Sequence, residues 1–340
     1  MTSRFAFAAL LIGAPLVIAA MPLSAPTSTS PKGLLLVANK GDQTIGIIDP
    51  VQGREIATVK ESGFTTHELI ASPDGKTAFA PIYGNSGVGK PGTDGSTIDV
   101  IDLATHRVAH TIDLGKPLRP HCALFGPRDG LLYVTTELDD SVTVIDPKTY
   151  RIVGTIPTSQ KESHMLAITS DGRRGYTANV GAGTVSALDL VARKTLAVIP
   201  ISKETQRIAI SNDARYAFTS DQTAPRLAVI DTATNKVKTW VEMPGIGYGT
   251  APTPDGHSLL VALINVNKVG VVDLATMKMS RTIDVMPAPQ EIHVAPGGAT
   301  AYVSCDASRK IAVLDLKTWK VEKYIDAGRG ADGLAWATLK

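Results

Sequence analysis

Seven side chains capable of chemistry stand at one register of this 340-residue sequence. His67, His121, His164, Gln206, Tyr248 and Gln290 each precede a tight turn by eight residues, or nine at His121. Asp332 continues the spacing, and from His121 onward the gaps are 43, 42, 42, 42 and 42 residues. On a closed ring of repeats the order runs Asp332, His67, His121, His164. Three imidazoles and a carboxylate on neighbouring repeats would make a divalent metal site, because neutral imidazole nitrogen and carboxylate oxygen suit Zn, Cu, Ni or Fe. With one position left to water, such an ion would act as a Lewis acid or supply hydroxide, with Tyr248 or His164 as general acid or base. Gln206, Gln290, Arg207 and Arg119 are the accompanying ligand-binding candidates, and the arginines with Lys203 would give the rim anion-binding character. A water-filled channel also accounts for a polar ring, and Arg207 also reads as a solvated surface charge.

A repeat holds these residues in step. The segments TIGIIDPVQGREIATV, SVTVIDPKTYRIVGTI and KVGVVDLATMKMSRTI are three of seven copies whose aspartates are Asp49, Asp102, Asp146, Asp189, Asp231, Asp273 and Asp315. Their gaps of 53, 44, 43, 42, 42 and 42 residues give a period near 42 with one insertion. Each copy alternates apolar and polar residues in short runs rich in Val, Ile and Thr, which is the strand signal. Between them recur SPDG, TSDG and TPDG, with SNDA and APGG as variants. Asp-Gly there supplies the positive φ of a hairpin turn. Four strands per 42 residues predict an all-β, seven-bladed β-propeller of four-stranded antiparallel blades over residues 33–340. The first copy lacks its inner strand and the C-terminal residues supply one, so the C-terminal strand should join the N-terminal blade and abolish both edges. The seven aspartates should cap turns through side-chain to backbone hydrogen bonds; spread round the outside of the ring, they do not cluster as calcium ligands must. The Gly-rich insertion at 84–96 reads as a lid over His67 or as a tolerated loop insertion.

Apolar residues at 44% and charged residues at 19% exclude a disordered chain, and a formal net charge of +2 indicates no nucleic-acid partner. Cys122 and Cys305 sit in no CxxC or CxxCH pattern, which excludes thioredoxin-like chemistry and c-type haem attachment. Cys122 adjoins His121, but alternation along a strand turns the two side chains apart. Residues 1–25, with Arg4 ahead of an apolar run and small residues at its end, read as a signal peptide, followed by a linker at 26–32. The expected location is therefore periplasmic or secreted, with no membrane span after cleavage. His106, His110 and His257 should lie at the surface, His293 in the core, and Trp240, Trp319 and Trp336 between blades.

The stretches LYVTTELDDSVTVID (132–146), YTANVGAGTVSALD (176–189) and AYVSCDASRKIAVLD (301–315) resemble the YVTN-type repeat. The whole of 33–340 is similar to YncE-like seven-bladed propellers. That resemblance implies the fold and, for function, a family of binding proteins and proteins of unassigned role, with lactonases, lyases and quinoprotein dehydrogenases among neighbouring propellers. No GxSxG element and no tryptophan docking pattern is present. The leading expectation is a binding protein whose channel-mouth face takes a small molecule, peptide or protein. The alternative is a metal-dependent lyase or lactone hydrolase using the histidines.

Overall fold

The computed structural model describes residues 1–2, 32–85 and 87–339, so the expected signal peptide and most of the linker lie outside the described residues. Among the described residues the strands form seven four-stranded antiparallel sheets. Six are continuous in sequence, at 70–113, 120–157, 163–200, 205–242, 247–284 and 289–326; these are blades two to seven. Blade one combines the three strands of 33–60 with the C-terminal strand Ala331–Thr338. The first strands of successive blades pack on one another round the axis, with Ala331–Thr338 taking that inner place in blade one. The ring closes through the pairing of Leu35 with Trp336 and Val37 with Leu334.

The repeated aspartate does the local work expected of it. Asp49 accepts the N–H groups of Val51 and Gln52, Asp273 those of Ala275 and Thr276, and Asp315 those of Lys317 and Thr318. Four residues past each aspartate the backbone enters the left-handed region, at Gly53, His106, Tyr150, Arg193, Asn235, Met277 and Trp319. The other turn behaves likewise, with positive φ at Gly75, Gly130, Gly172, Gly256 and Gly298, and at Ala214 where the glycine is missing.

Fully buried Val, Ile and Leu from facing sheets fill the spaces between blades, such as Val142, Val144, Ile156, Val185 and Leu188. Trp336 stacks on Tyr302 of the next blade at 6.1 Å, and Arg281 lies over Trp319 of the next blade at 5.3 Å, so these two indoles pack between blades as expected. Trp240 packs against the apolar cluster shared by blades three to five, with Arg226 of its own blade over its ring.

Blade two departs from the pattern. Its inner strand is reduced to Ile70–Ala71. Ile70 pairs with Phe79 and Ala71 with Ala78, and continuing the ladder would bring the chain to Pro81, which has no N–H to donate. The Thr66 hydroxyl donates to the Pro81 carbonyl in its place, at 2.6 Å. His67 and Glu68 thus sit on irregular backbone while their counterparts sit on strands.

Candidate functional site at the channel mouth

The inner strands carry a bulge at the register of interest. In blade five Thr205 pairs with Asp221 and Ile208 with Thr219, so Gln206 and Arg207 together oppose the single residue Ser220. Blades three, six and seven repeat this, with shifts between Pro120 and Ala123, Gly247 and Thr250, and Pro289 and Ile292. A bulge re-aims side chains, so two consecutive residues can approach the axis. This overturns the reading of Arg207 as a solvated surface charge. Arg207 is 1% exposed and lies at the centre of the molecule.

Around its guanidinium converge carboxylates from three other blades. Arg207 donates to Glu68, to Glu291 at 2.9 Å and to Asp332 at 3.2 Å, and its guanidinium carbon lies 4.4 Å from the centre of the Tyr248 ring. Asp332 is held on its other oxygen by Lys40 at 3.0 Å, and Lys40 also reaches Asp306 at 3.4 Å. Burial opposes the charge on Lys40, but Asp332 and Asp306 outweigh it and keep the amine protonated. Burial likewise opposes the Asp332 charge, yet Lys40 and Arg207 hold its carboxyl below the usual range. Burial dominates for the other two acids: Glu68 is pushed up to about 7 and Glu291 to about 8 despite Arg207. Burial also raises the Tyr248 phenol.

Beside this network stand the three histidines, brought together as the spacing predicts. His67 and His121 have ring centres 5.3 Å apart and His121 and His164 3.6 Å apart, with Tyr83 4.6 Å from His67. His164 Nδ1 bonds Glu137, whose other oxygen accepts the Tyr83 hydroxyl at 2.7 Å. A carboxylate only accepts, so Nδ1 carries the proton and Nε2 points away from Glu137. The side-chain amide of Gln206 lies 3.4 Å from that Nε2. His121 is 1% exposed, and neither of its ring nitrogens has a hydrogen-bond partner. Burial pushes His67 down to about 3 and His121 well below the ordinary imidazole value, so both rings are neutral.

Asp332 hydrogen-bonds Arg207 and Lys40, and its charge also acts on His67, but among the described residues no group of three or more His, Cys, Asp or Glu is placed to hold an ion. Gln290 is buried beside Glu291. Lys203 is exposed on the loop entering blade five. Arg119 is neutralised by Asp94 at 2.5 Å and donates to the Lys90 carbonyl, so it ties the 84–96 insertion down. Arg207 is ion-paired through its two terminal nitrogens while its Nε lacks a partner, so neither arginine is a free anion site. The Cys122 thiol is directed at the Leu166 carbonyl, away from the ring, and burial pushes it up to about 12. A surface cavity of about 430 Å³, lined by Asn212, Tyr216, Asp255 and Leu274, lies at the opposite end of the blades near the tight turns.

Lys40, Glu68, Tyr83, Glu137 and Glu291 are the parts of the site that the spacing does not reveal. Glu68, Arg207 and Glu291 do share a register, one residue after the ring positions, and opposite charges at one register of a closed ring are a readable signal. Tyr83 and Glu137 lie on the second strand of blade two and in the turn after that of blade three.

A seven-bladed beta-propeller protein of Mycobacterium tuberculosis is 27% identical over 135 residues, 39% of this chain and 31% of that protein, so the match spans about a third of that relative. A solved structure of hydrazine synthase from Kuenenia stuttgartiensis superposes with a TM-score of 0.70 at 16% identity, covering 88% of this chain and 99% of that one, a likeness of fold. Residues 127–335, more than half of the sequence, match the model of the cytochrome D1 heme domain, and the chain belongs to that family.

Proposed function

We propose that this protein is an exported binding protein that takes a small, cation-bearing solute at its channel mouth. The observation that carries this reading is the charge arrangement there: the carboxylates Glu68, Glu291, Asp306 and Asp332 face the cations Lys40 and Arg207, and Glu137 stands beside them on His164. Burial holds Glu68 up to about 7 and Glu291 to about 8, so the negative excess grows as pH rises through that range, and low-dielectric walls focus it on an incoming cation. The half-buried side chains of His67, Gln206, Tyr248 and Glu291 offer it hydrogen bonds and ring faces. Export rests on the leader-like first 25 residues and the resemblance to secreted YVTN-repeat propellers. No helix among the described residues is long and apolar enough to cross a membrane.

The family's name raises a haem at this mouth, and the residues do not suit one. A haem brings its own carboxylates, whereas Lys40, Arg207 and Arg119 are already ion-paired here. His121 and His164 pack ring against ring, so neither stands clear as an axial ligand. The reading as a metal-dependent lyase or lactone hydrolase draws on the same histidines and depends on an ion being bound there.

Titration of ¹⁵N-labelled protein with putrescine, spermidine and divalent metal chlorides tests the proposal. Amide shifts confined to residues 66–68, 120–122, 163–165, 205–207, 247–249, 289–291 and 331–333 would support it. No saturable shift with any of these probes, or shifts only at the outer strands, would overturn it.

A further inference from the structure

We infer that His67, His121 and His164 form a site for one divalent late transition metal ion, of the copper or zinc class, with Glu137 and Tyr83 as its positioning residues. This deepens the proposed function and rests on its reading of the mouth as a cation-binding face.

Two observations converge on it. The first is His121, whose two ring nitrogens are buried and without partners. Buried polar atoms are nearly always satisfied, and an orphaned imidazole flanked by two others is a donor in want of an acceptor. The second is the anchoring of His164, whose Nδ1 proton is fixed by Glu137, itself fixed by Tyr83. Carboxylate, imidazole and ion in series is the usual outer support of a metal-bound histidine, because it sets the tautomer and raises the basicity of the free nitrogen. Softer ligands are absent from the set, since Cys122 points away. Three imidazole nitrogens with water completing the shell suit copper and zinc better than magnesium or calcium, which prefer oxygen.

The rings are not in a binding pose. His121 lies face-on to His164, and it must turn about its side-chain bonds for the lone pairs to converge. The half-buried His67 stands beside it on irregular backbone, where blade two lacks its inner ladder. The ion would enter there, past the least constrained of the three ligands.

The test uses untagged protein, stripped with a chelator, loaded separately with Cu²⁺ and Zn²⁺, desalted and analysed for metal. The proposal expects about one ion per chain, and for copper an electron paramagnetic resonance spectrum with nitrogen coupling. His164→Ala and His121→Phe should abolish retention; His121→Phe keeps a ring in place, so that loss of fold is not mistaken for loss of ligand. Glu137→Gln, which keeps the shape but not the charge, should weaken binding roughly 10- to 100-fold with an unchanged circular dichroism spectrum. Wild-type protein that retains neither metal, or His121→Phe that retains wild-type stoichiometry and spectrum, would overturn the site. If metal retention fails while putrescine or spermidine still shifts the mouth amides, the ion is wrong and the mouth reading survives. If both fail, both fall.

Discussion

Arg207 of blade five and Asp332 of blade one meet across the channel at 3.2 Å, so one guanidinium links opposite sides of the ring. Glu68 and Glu291 bind the same group from blades two and seven. The ring is therefore tied through its centre as well as round its edge.

Removing the centre should be costly. Arg207→Met leaves buried carboxylates without their partner, a change worth about 3–5 kcal/mol in comparable buried pairs. The loss should depend on pH with a definite sign. Glu291, already held up to about 8 by burial, moves higher without the arginine, so the folded variant binds a proton that the unfolded chain has released. Wild-type Glu291 loses stability in the same way up to about pH 8, so the deficit of the variant relative to wild type should widen from pH 7 to pH 9. Urea denaturation at both pH values measures this, and a pH-independent deficit would speak against the network.

Glu61 offers a separate pH effect. Its carboxyl accepts the Thr66 N–H on one oxygen at 3.0 Å and leaves the other without a partner. Burial, and then nearby Asp99, push it up from 4.5 to about 8. A raised acid is protonated in the fold, so the wild type loses stability as pH rises from about 4.5 through 8. Glu61→Gln cannot ionise and should gain on the wild type across that range, by an amount on the order of 2 kcal/mol above pH 8 and near zero at pH 4. Melting temperatures over the pH series check it.

The tight turns supply a third expectation. Ala214 holds φ 57° at the position where Gly75, Gly172 and Gly256 stand in other blades. Ala214→Gly relieves the left-handed strain and should stabilise by about 0.5–1 kcal/mol, while Gly256→Ala should destabilise by a similar amount. Denaturant midpoints of the two variants should move in opposite directions.

Closure of the ring is testable by truncation. Ending the chain at Asp326 removes Ala331–Thr338 and bares the edge of Gly33–Asn39, whose seven residues are all buried in the closed ring. An apolar, unpaired edge is a template for association. The truncated protein should elute as aggregate and lose cooperative unfolding; a monomer with an unchanged melt would contradict the role given to the C-terminal strand.

Much of this was legible because a repeat converts spacing into geometry. Equal spacing puts His121, His164, Gln206 and Asp332 at one height round one axis without any knowledge of the contacts, and the repeated aspartates declare their turns. Side-chain direction was less legible. Arg207 enters the channel only because a bulge opposes two residues to one, and no residue type marks that bulge. Tyr83 and Glu137 escape the repeat altogether, since they reach His164 from a second strand and from the 3₁₀ turn Glu137–Asp139. Asp332 lies at the expected height, where its hydrogen bonds go to Lys40 and Arg207 and its charge also acts on His67.

Anomalous diffraction from crystals of the protein soaked in zinc or copper, collected at the edge of the metal, tests most directly that the mouth is the ligand site. The account predicts a single strong peak among His67, His121 and His164, with the His121 ring turned from its stacked position. Peaks confined to the outer strands or to lattice contacts, with His121 unmoved, would contradict it.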